Sequence, residues 1–110
     1  MKIRLVKQHT ITKYVSKNQN SKKYFDDWLD KLQFANWSNT NEIKLTYNSA
    51  DILGKSSSRI VFNIGGNHYR MICKFHFGRK KVHLYIMWIG THAEYTKLFD
   101  GELQYTIKLY

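Results

Sequence analysis

The sequence predicts a single α+β domain, and three observations support this prediction. Residues 21–36, "SKKYFDDWLDKLQFAN", place apolar side chains on one side of a helix and aspartates on the other. The segments "RIVFNI", "HYRMICKFHF" and "VHLYIMWI" alternate apolar and polar residues, as strands with one buried face do. The chain has 110 residues, no proline and no internal repeat, so we expect one domain over residues 1–110.

The N-terminal part predicts one strand and two helices. "MKIRLVK" alternates like a short strand, and "TITKYVSK" has the spacing of a short first helix. Ser21 is expected to cap the second helix. Residues 37–58 are rich in Asn, Ser and Thr and predict a long connection with one short ordered piece near "EIKL". In the second helix we expect a buried stripe of Tyr24, Phe25, Trp28, Leu29 and Leu32, and a solvated face of Asp26, Asp27 and Asp30.

Two hairpins follow, joined by Gly65–Gly66 and by a four-residue loop at 78–81. The glycine pair suits a type I′ turn, because both residues can adopt positive φ. The resulting cross-strand pairs are Ile64 with Asn67, Phe62 with Tyr69, His76 with His83, and Lys74 with Tyr85. The predicted core face consists of Ile60, Phe62, Ile64, Tyr69, Met71, Cys73, Phe75, Phe77, Val82, Leu84, Ile86 and Trp88. Cys73 is therefore expected to be a small core residue and not a reactive thiol.

The opposite face of the predicted sheet mixes cations, histidines and tyrosine. Its predicted members are Arg59, Asn63, His68, Arg70, Lys74, His76, His83 and Tyr85, with Val61, Ile72, Met87 and Ile89 between them. A sheet with helices on one face commonly leaves the other face to solvent, so polar residues there need no function. Cations would nevertheless attract phosphates, and aromatic rings can stack on unpaired bases, which favours RNA binding on this face.

The charge of the chain also favours a polyanionic partner. Eighteen Lys and Arg against eight Asp and Glu give a net charge of +10. Residues 52–93 contain no acid, although they hold seven cations: Lys55, Arg59, Arg70, Lys74, Arg79, Lys80 and Lys81. Such a domain usually meets nucleic acid, an acidic protein or an anionic membrane surface. The alternative is that the charge serves only solubility.

Several classes of protein are not favoured by the sequence. No apolar run is long enough for a membrane span, and "MKIRLVKQ" lacks the apolar region of a signal peptide, so we expect a cytoplasmic protein. A single cysteine allows no internal disulfide and no cysteine-based zinc site. His76 and His83 could share a metal across two strands, but no third ligand is evident. The sequence "IGGN" is too short for a phosphate-binding loop.

The stretch "THAEY", residues 91–95, allows both a structural and a chemical interpretation. Thr91 and Glu94 have the spacing of a capping box, which accounts for both residues without any chemistry. His92 then occupies the first position of a helix, where the positive end of the helix dipole favours a neutral imidazole. A neutral histidine is suited to accept a proton.

The blocks "VFNIGGNHYRMICKFHF" and "LYIMWIGTHAEYTKL" closely resemble the HigB family of bacterial toxins, a branch of the RelE-like ribonuclease superfamily. With "NEIKLTYNSADIL", the resemblance covers most of residues 1–99. It implies a RelE-like fold with two N-terminal helices on one face of an antiparallel sheet. It also implies a metal-independent endoribonuclease without cofactors, which cuts mRNA in the ribosomal A site and is inhibited by a helix-turn-helix antitoxin of the HigA type.

The resemblance assigns roles to residues that match its motifs. Arg70 closes "GGNxxR" and is the candidate for transition-state stabilisation, while His92 and Tyr95 of "THxEY" are the candidate acid–base pair, with His92 accepting the proton. The candidate RNA contacts are Lys55, Arg59, Lys74, His76, Arg79, Lys80, Lys81, His83 and Tyr85. Each residue also has a structural interpretation: a solvated strand cation, a packed helix tyrosine or an ordinary polar turn. The family often has Asp after the tyrosine, where this chain has Thr96.

The tail "LQYTIKLY" alternates strictly and has no counterpart in the family blocks. It predicts an extra edge strand, with Leu103, Tyr105, Ile107 and Leu109 facing inward, which would cover the sheet edge or contact the antitoxin. Two other functions remain open at this point. One is a catalytically silent RNA- or ribosome-binding module of the same fold, and the other is a domain whose cationic face binds an acidic protein.

Overall fold

A computed structural model describes all of residues 1–110 as a five-stranded sheet with four α-helices, which confirms the α+β class. The strands are β1 (Lys2–Val6), β2 (Asp51–Ile52), β3 (Arg59–Ile64), β4 (Tyr69–Phe77) and β5 (Lys81–Thr91). The helices are α1 (His9–Lys17), α2 (Lys22–Gln33), α3 (Thr40–Thr46) and α4 (His92–Asp100). No helix is both long and apolar enough to cross a membrane.

The sheet is mixed, which corrects the expectation of an antiparallel one. The strand order is β1-β5-β4-β3-β2, and β1 runs parallel to β5 with Lys2 beside Lys81 and Val6 beside Tyr85. All other pairs are antiparallel. Because α1 to α3 and three strands separate β1 from β5, the direction of β1 depends on long-range packing and not on a local turn.

The first hairpin has a four-residue loop, so its predicted register was wrong by two residues. Ile64 pairs with Tyr69 and Phe62 pairs with Met71. Gly65 and Gly66 both have positive φ, as expected. The ring of Tyr24 lies so close to Gly65 that a Cβ there would be 2.6 Å from Tyr24 Cγ. A shift of two residues leaves every side chain on its predicted face, because side chains alternate with a period of two.

A bulge between β4 and β5 changes the face of Trp88. The second hairpin has the predicted register at its loop end, where His76 pairs with His83 and Lys74 with Tyr85. Further along, Cys73 pairs with Ile86 but Ile72 pairs with Trp88, so Met87 is the extra residue. The bulge turns Trp88 away from the main core and turns Ile89 towards it, which corrects both predictions.

The main core lies between the helices and one face of the sheet. Phe25, Trp28 and Leu32 of α2 are buried there, as expected, and Trp28 stacks on Tyr47 with 5.4 Å between ring centroids. Cys73 is fully buried in this core, which raises the pKa of its thiol and confirms its structural role. Ser21 directly precedes α2, as predicted, but its side chain does not cap the helix: the hydroxyl donates to Asn18 O, because a 3-10 turn over Gln19–Ser21 leads directly into α2.

A second, smaller core covers part of the opposite sheet face, which is therefore not entirely open to solvent. It is formed by Leu53, Val61, Ile72, Met87, Trp88 and Leu98. The tail contributes to it, but not as the predicted edge strand. Residues Leu103–Tyr105 form a 3-10 turn, and Leu109 N donates to Met87 O at 2.8 Å, beside the bulge. Tyr105 and Ile107 pack against this core, as predicted, but Leu103 and Leu109 are about half exposed, so the predicted inward set was wrong for these two leucines.

Candidate active site and cationic surface

The residues of "THAEY" lie where β5 passes directly into α4. Thr91 Oγ1 accepts a hydrogen bond from Glu94 N at 3.1 Å, and Glu94 Oε1 accepts one from Thr91 N at 2.8 Å. The predicted capping box is therefore confirmed. His92 is the first residue of α4, its side chain is exposed, and its backbone N donates to His68 O at 3.1 Å. The capping box and this bond fix the backbone of His92 beside the 65–68 turn.

Arg70 lies on β4, opposite Gly90, and is only 7% exposed. Its Nη1 donates to Gly66 O and to Tyr69 O, both at 2.9 Å, and its Nη2 donates to Asn67 Oδ1 at 3.4 Å. Burial lowers the pKa of Arg70, while the nearby Tyr95 acts to raise it. A guanidinium has five N–H donors, so these three bonds leave two for a phosphate.

Tyr95 is partly buried on the first turns of α4, with its ring 6.1 Å from that of Trp88 and 6.1 Å from that of Phe99. Burial is the largest cause that raises the pKa of Tyr95, followed by the carboxylate of Asp51, while Arg70 acts to lower it. The phenol therefore keeps its proton at neutral pH. Arg70 pairs with Gly90, the ring of Trp88 lies over Gly90, and Tyr95 packs beside that ring, so Arg70 and Tyr95 lie at the same end of the second sheet face.

Four predicted RNA contacts share a row on the second face of the sheet. Lys74 is paired with Tyr85 and His76 with His83. The ring centroids of His76 and His83 are 6.1 Å apart, those of His83 and Tyr85 are 6.4 Å apart, and both pairs are stacked. The surface therefore has one exposed lysine, Lys74, beside a row of three flat rings, those of His76, His83 and Tyr85. We call Lys74, His76, His83 and Tyr85 the ring ladder.

The turn at 79–81 extends this surface with charge. Arg79, Lys80 and Lys81 are exposed and, together with Arg4 and His83, line one shallow depression. Arg4 of β1 pairs with His83, and Lys2 pairs with Lys81. Arg4 and Lys2 were not among the predicted contacts, because only the parallel pairing of β1 with β5 brings them to this surface. At this end of the ring ladder, cations of β1 therefore lie beside those of the 79–81 turn.

Lys55 and Arg59 do not join the ring ladder. Arg59 is only 7% exposed, and its Nη1 donates to Gln104 O at 3.2 Å and Ile107 O at 2.6 Å. This position does not support the predicted RNA contact at Arg59, because its guanidinium is covered by the tail. Lys55 is exposed, yet its Nζ lies 4.6 Å from the ring centroid of Tyr105 and 3.9 Å from Glu102 Oε1.

Trp88 lies beside the candidate site, although the sequence placed it in the core. The bulge at Met87 brings its ring onto the same face as Tyr95, and the ring covers the backbone of Gly90. The run "IMWI" is apolar throughout, so its sequence carries no sign of the bulge.

The sheet is mixed, the N-terminus of α4 lies beside a buried arginine, and one face of the sheet is cationic. These features define a small α+β protein suited to a polyanionic ligand. A family model described as HigB_toxin, the RelE-like toxic component of a toxin–antitoxin system, matches residues 21–98. The chain therefore belongs to the HigB toxin family, which confirms the resemblance of its motifs and implies an antitoxin partner. The comparison with curated proteins finds no match.

Proposed function

We propose that this protein is a ribosome-dependent endoribonuclease that cleaves mRNA in the A site, and that a HigA-type helix-turn-helix antitoxin inhibits it. The observation that carries the proposal is geometric: Arg70 pairs with Gly90, Tyr95 packs on the Trp88 ring that lies over Gly90, and His92 begins α4 at the same end of the sheet. These three side chains supply the positive charge, the proton donor and the proton acceptor that phosphodiester cleavage requires.

The reaction needs no metal in this proposal. The ribose 2′-oxygen attacks the adjacent phosphorus, and the proton of the 2′-hydroxyl passes to the imidazole of His92. Arg70 stabilises the charge that builds on the phosphorane oxygens through its two remaining N–H groups. The bond from phosphorus to the 5′-oxygen then breaks, and that oxygen takes the phenolic proton of Tyr95. The products are a 2′,3′-cyclic phosphate and a 5′-hydroxyl, and the two side chains exchange protons with water before the next cycle.

The cationic surface would hold the RNA while Arg70, His92 and Tyr95 cleave it at the end of the sheet where β5 passes into α4. The proposed contacts are Lys74, His76, Arg79, Lys80, Lys81, His83 and Tyr85, with Lys55 at the margin. Lysine and arginine would neutralise phosphates, and the flat rings of the ring ladder would stack on unpaired bases. Arg59 is left out because its guanidinium is engaged by the tail.

A second candidate function is a binding module that blocks translation without cutting. It is favoured by the hydrogen bonds of Arg70, since Nη1 donates to two backbone carbonyls and so also serves to hold the 65–68 turn. In such a module the capping box would account for "THAEY", and His92 would have no chemical role.

The two functions are separated by mapping 5′ ends on a translated mRNA in a reconstituted bacterial system, with and without ribosomes. We expect cuts that follow the codon phase, require ribosomes and disappear in His92→Ala. His9→Ala is the matched control, because it removes another exposed histidine, from α1. Cuts that survive in His92→Ala would return His92 to the capping motif, and stalled translation without cuts would support the binding module.

A further inference from the structure

The last ten residues, 101–110, cross the second face of the sheet and lie outside the segment that matches the family. We call them the C-terminal strap. Its 3-10 turn is followed by a segment without regular secondary structure, and the strap is held at two points. Arg59 Nη1 donates to Gln104 O and Ile107 O, and Leu109 N donates to Met87 O. The strap is therefore attached to both β3 and β5.

Arg59 is buried without a carboxylate partner. Its guanidinium forms no salt bridge, and the only side-chain hydrogen bonds of Arg59 are the two to strap carbonyls, at 2.6 and 3.2 Å. Burial lowers the pKa of Arg59, which reflects the cost of removing its charge from water. A buried charge is retained where its hydrogen bonds offset that cost, so the carbonyls of the strap and the guanidinium depend on each other.

The strap shares its packing surface with Tyr95. Tyr105, Ile107 and Tyr95 all pack against the small core that contains Trp88. The ring of Trp88 lies 6.1 Å from that of Tyr95, and the phenol of Tyr105 contributes to the raised pKa of Tyr95. The ammonium group of Lys55 also lies over the ring of Tyr105 in the strap. Removing the strap would expose the core on which Tyr95 rests.

We propose that Arg59 is a positioning residue, which acts through the C-terminal strap to hold Tyr95 in place for cleavage. The proposal rests on the proposed function for its kinetic consequence. Its structural consequence, a change at Tyr95 when the strap is loosened, does not require that the protein be a nuclease.

The kinetic test compares Arg59→Met and Ile107→Ala with the full-length parent in ribosome-dependent cleavage. Both variants are expected to lower kcat roughly tenfold to a hundredfold while KM changes less than about twofold, because misplacement of a reacting group affects the chemical step. Lys44→Met is the control, since it removes one charge from an exposed position on α3. Ile107→Ala leaves the charge of the chain unchanged, so its effect cannot arise from weaker attraction to RNA.

Two further measurements extend the test, and the second remains informative if Arg59→Met folds poorly. In the double variant Arg59→Met, Ile107→Ala, we expect a loss well below the product of the single losses, because both residues act through one strap. The NMR signals of the Tyr95 ring, assigned with Tyr95→Phe, should move in Ile107→Ala and in Tyr105→Leu.

The outcomes are distinct. A raised KM with unchanged kcat in Arg59→Met would overturn the proposal and make Arg59 an RNA contact. Unmoved Tyr95 signals in both strap variants would also overturn it. If the parent protein shows no cleavage, the proposed function fails, and moved Tyr95 signals would still support the structural part of this inference.

Discussion

The ring of Trp88 lies over the backbone of Gly90, two residues further along β5. A Cβ on Gly90 would be 2.4 Å from Trp88 Cη2, so an alanine there requires the ring to move. Because Trp88 is buried and packs beside Tyr95, the smallest possible side chain at Gly90 is a condition for this arrangement of the site.

We therefore expect Gly90→Ala to lower the free energy of unfolding by about 1–3 kcal/mol, the usual cost of overpacking a core. Urea unfolding followed by tryptophan fluorescence measures this change. Gly54→Ala is the matched control, because no atom lies within 4 Å of the position a Cβ would take there. Equal losses in the two variants would contradict the clash at Trp88.

Substitutions at Gly65 and Gly66, which lie in one turn, allow the cost of backbone strain to be measured separately from the cost of a steric clash. Both have positive φ, at 67° and 65°, but a Cβ would meet the ring of Tyr24 only at Gly65. We expect Gly66→Ala to cost about 1–2 kcal/mol of stability from the left-handed backbone alone. Gly65→Ala should lower stability more than Gly66→Ala, and thermal unfolding of the two variants measures the difference. A larger loss of stability in Gly66→Ala would contradict the packing of Tyr24 on this turn.

The part of the fold that was predicted from the sequence is the part governed by neighbours along the chain. The capping box at Thr91 depends on four consecutive residues, and the register at His76 and His83 depends on one short loop. The stripe of α2 depends on helical spacing alone. In these cases the local pattern and the final structure agree.

Several of the predictions that failed depend on contacts between distant segments, whereas the register of the first hairpin failed within a single turn. The carbonyl oxygen of the bulged residue Met87 accepts a hydrogen bond from Leu109 N, which lies near the C-terminal end of the chain. Alternation correctly places Arg59 on the second face of the sheet, but it does not reveal that the strap covers the guanidinium there. The direction of β1 likewise depends on a strand about 80 positions away.

Thr91 and His92 allow the structural and chemical roles of "THAEY" to be measured separately. Thr91→Ala removes the cap and should lower stability by about 1 kcal/mol. His92→Ala should change stability by less than about 0.5 kcal/mol, since its side chain is exposed, but should slow cleavage at least a hundredfold if it is the proton acceptor. Thermal unfolding and single-turnover cleavage of both variants check this. A larger stability loss in His92→Ala than in Thr91→Ala would be contrary to the observed capping box.

The cationic surface is tested by the salt dependence of RNA binding. Lys81 is exposed at the turn and lies beside Lys2 and Arg4, so its ammonium group is placed to contact a phosphate. In Lys81→Ala, the slope of log K against log salt for single-stranded RNA should become shallower by about 0.7, the value of one released counterion. Lys44→Ala is the control, with an expected slope equal to that of the parent. A slope unchanged in Lys81→Ala would remove this lysine from the contact surface.

Stability at alkaline pH is expected to depend on Tyr14, whose ring packs edge-on against Phe25 and Tyr69. Burial of the phenol, with a smaller contribution from Glu94, raises the pKa of Tyr14 from 10.0 to about 12. A pKa that is higher in the folded state means that the folded state holds the proton more tightly, so this contribution is complete below pH 10 and is lost as pH rises through about 12. The free energy of unfolding, measured in urea between pH 9 and 12, should therefore fall less steeply in Tyr14→Phe than in the parent. Tyr85→Phe removes an exposed phenol from the ring ladder and serves as the control. If Tyr14→Phe and the parent lose stability equally over this range, the phenol of Tyr14 is not held in its neutral form by the fold.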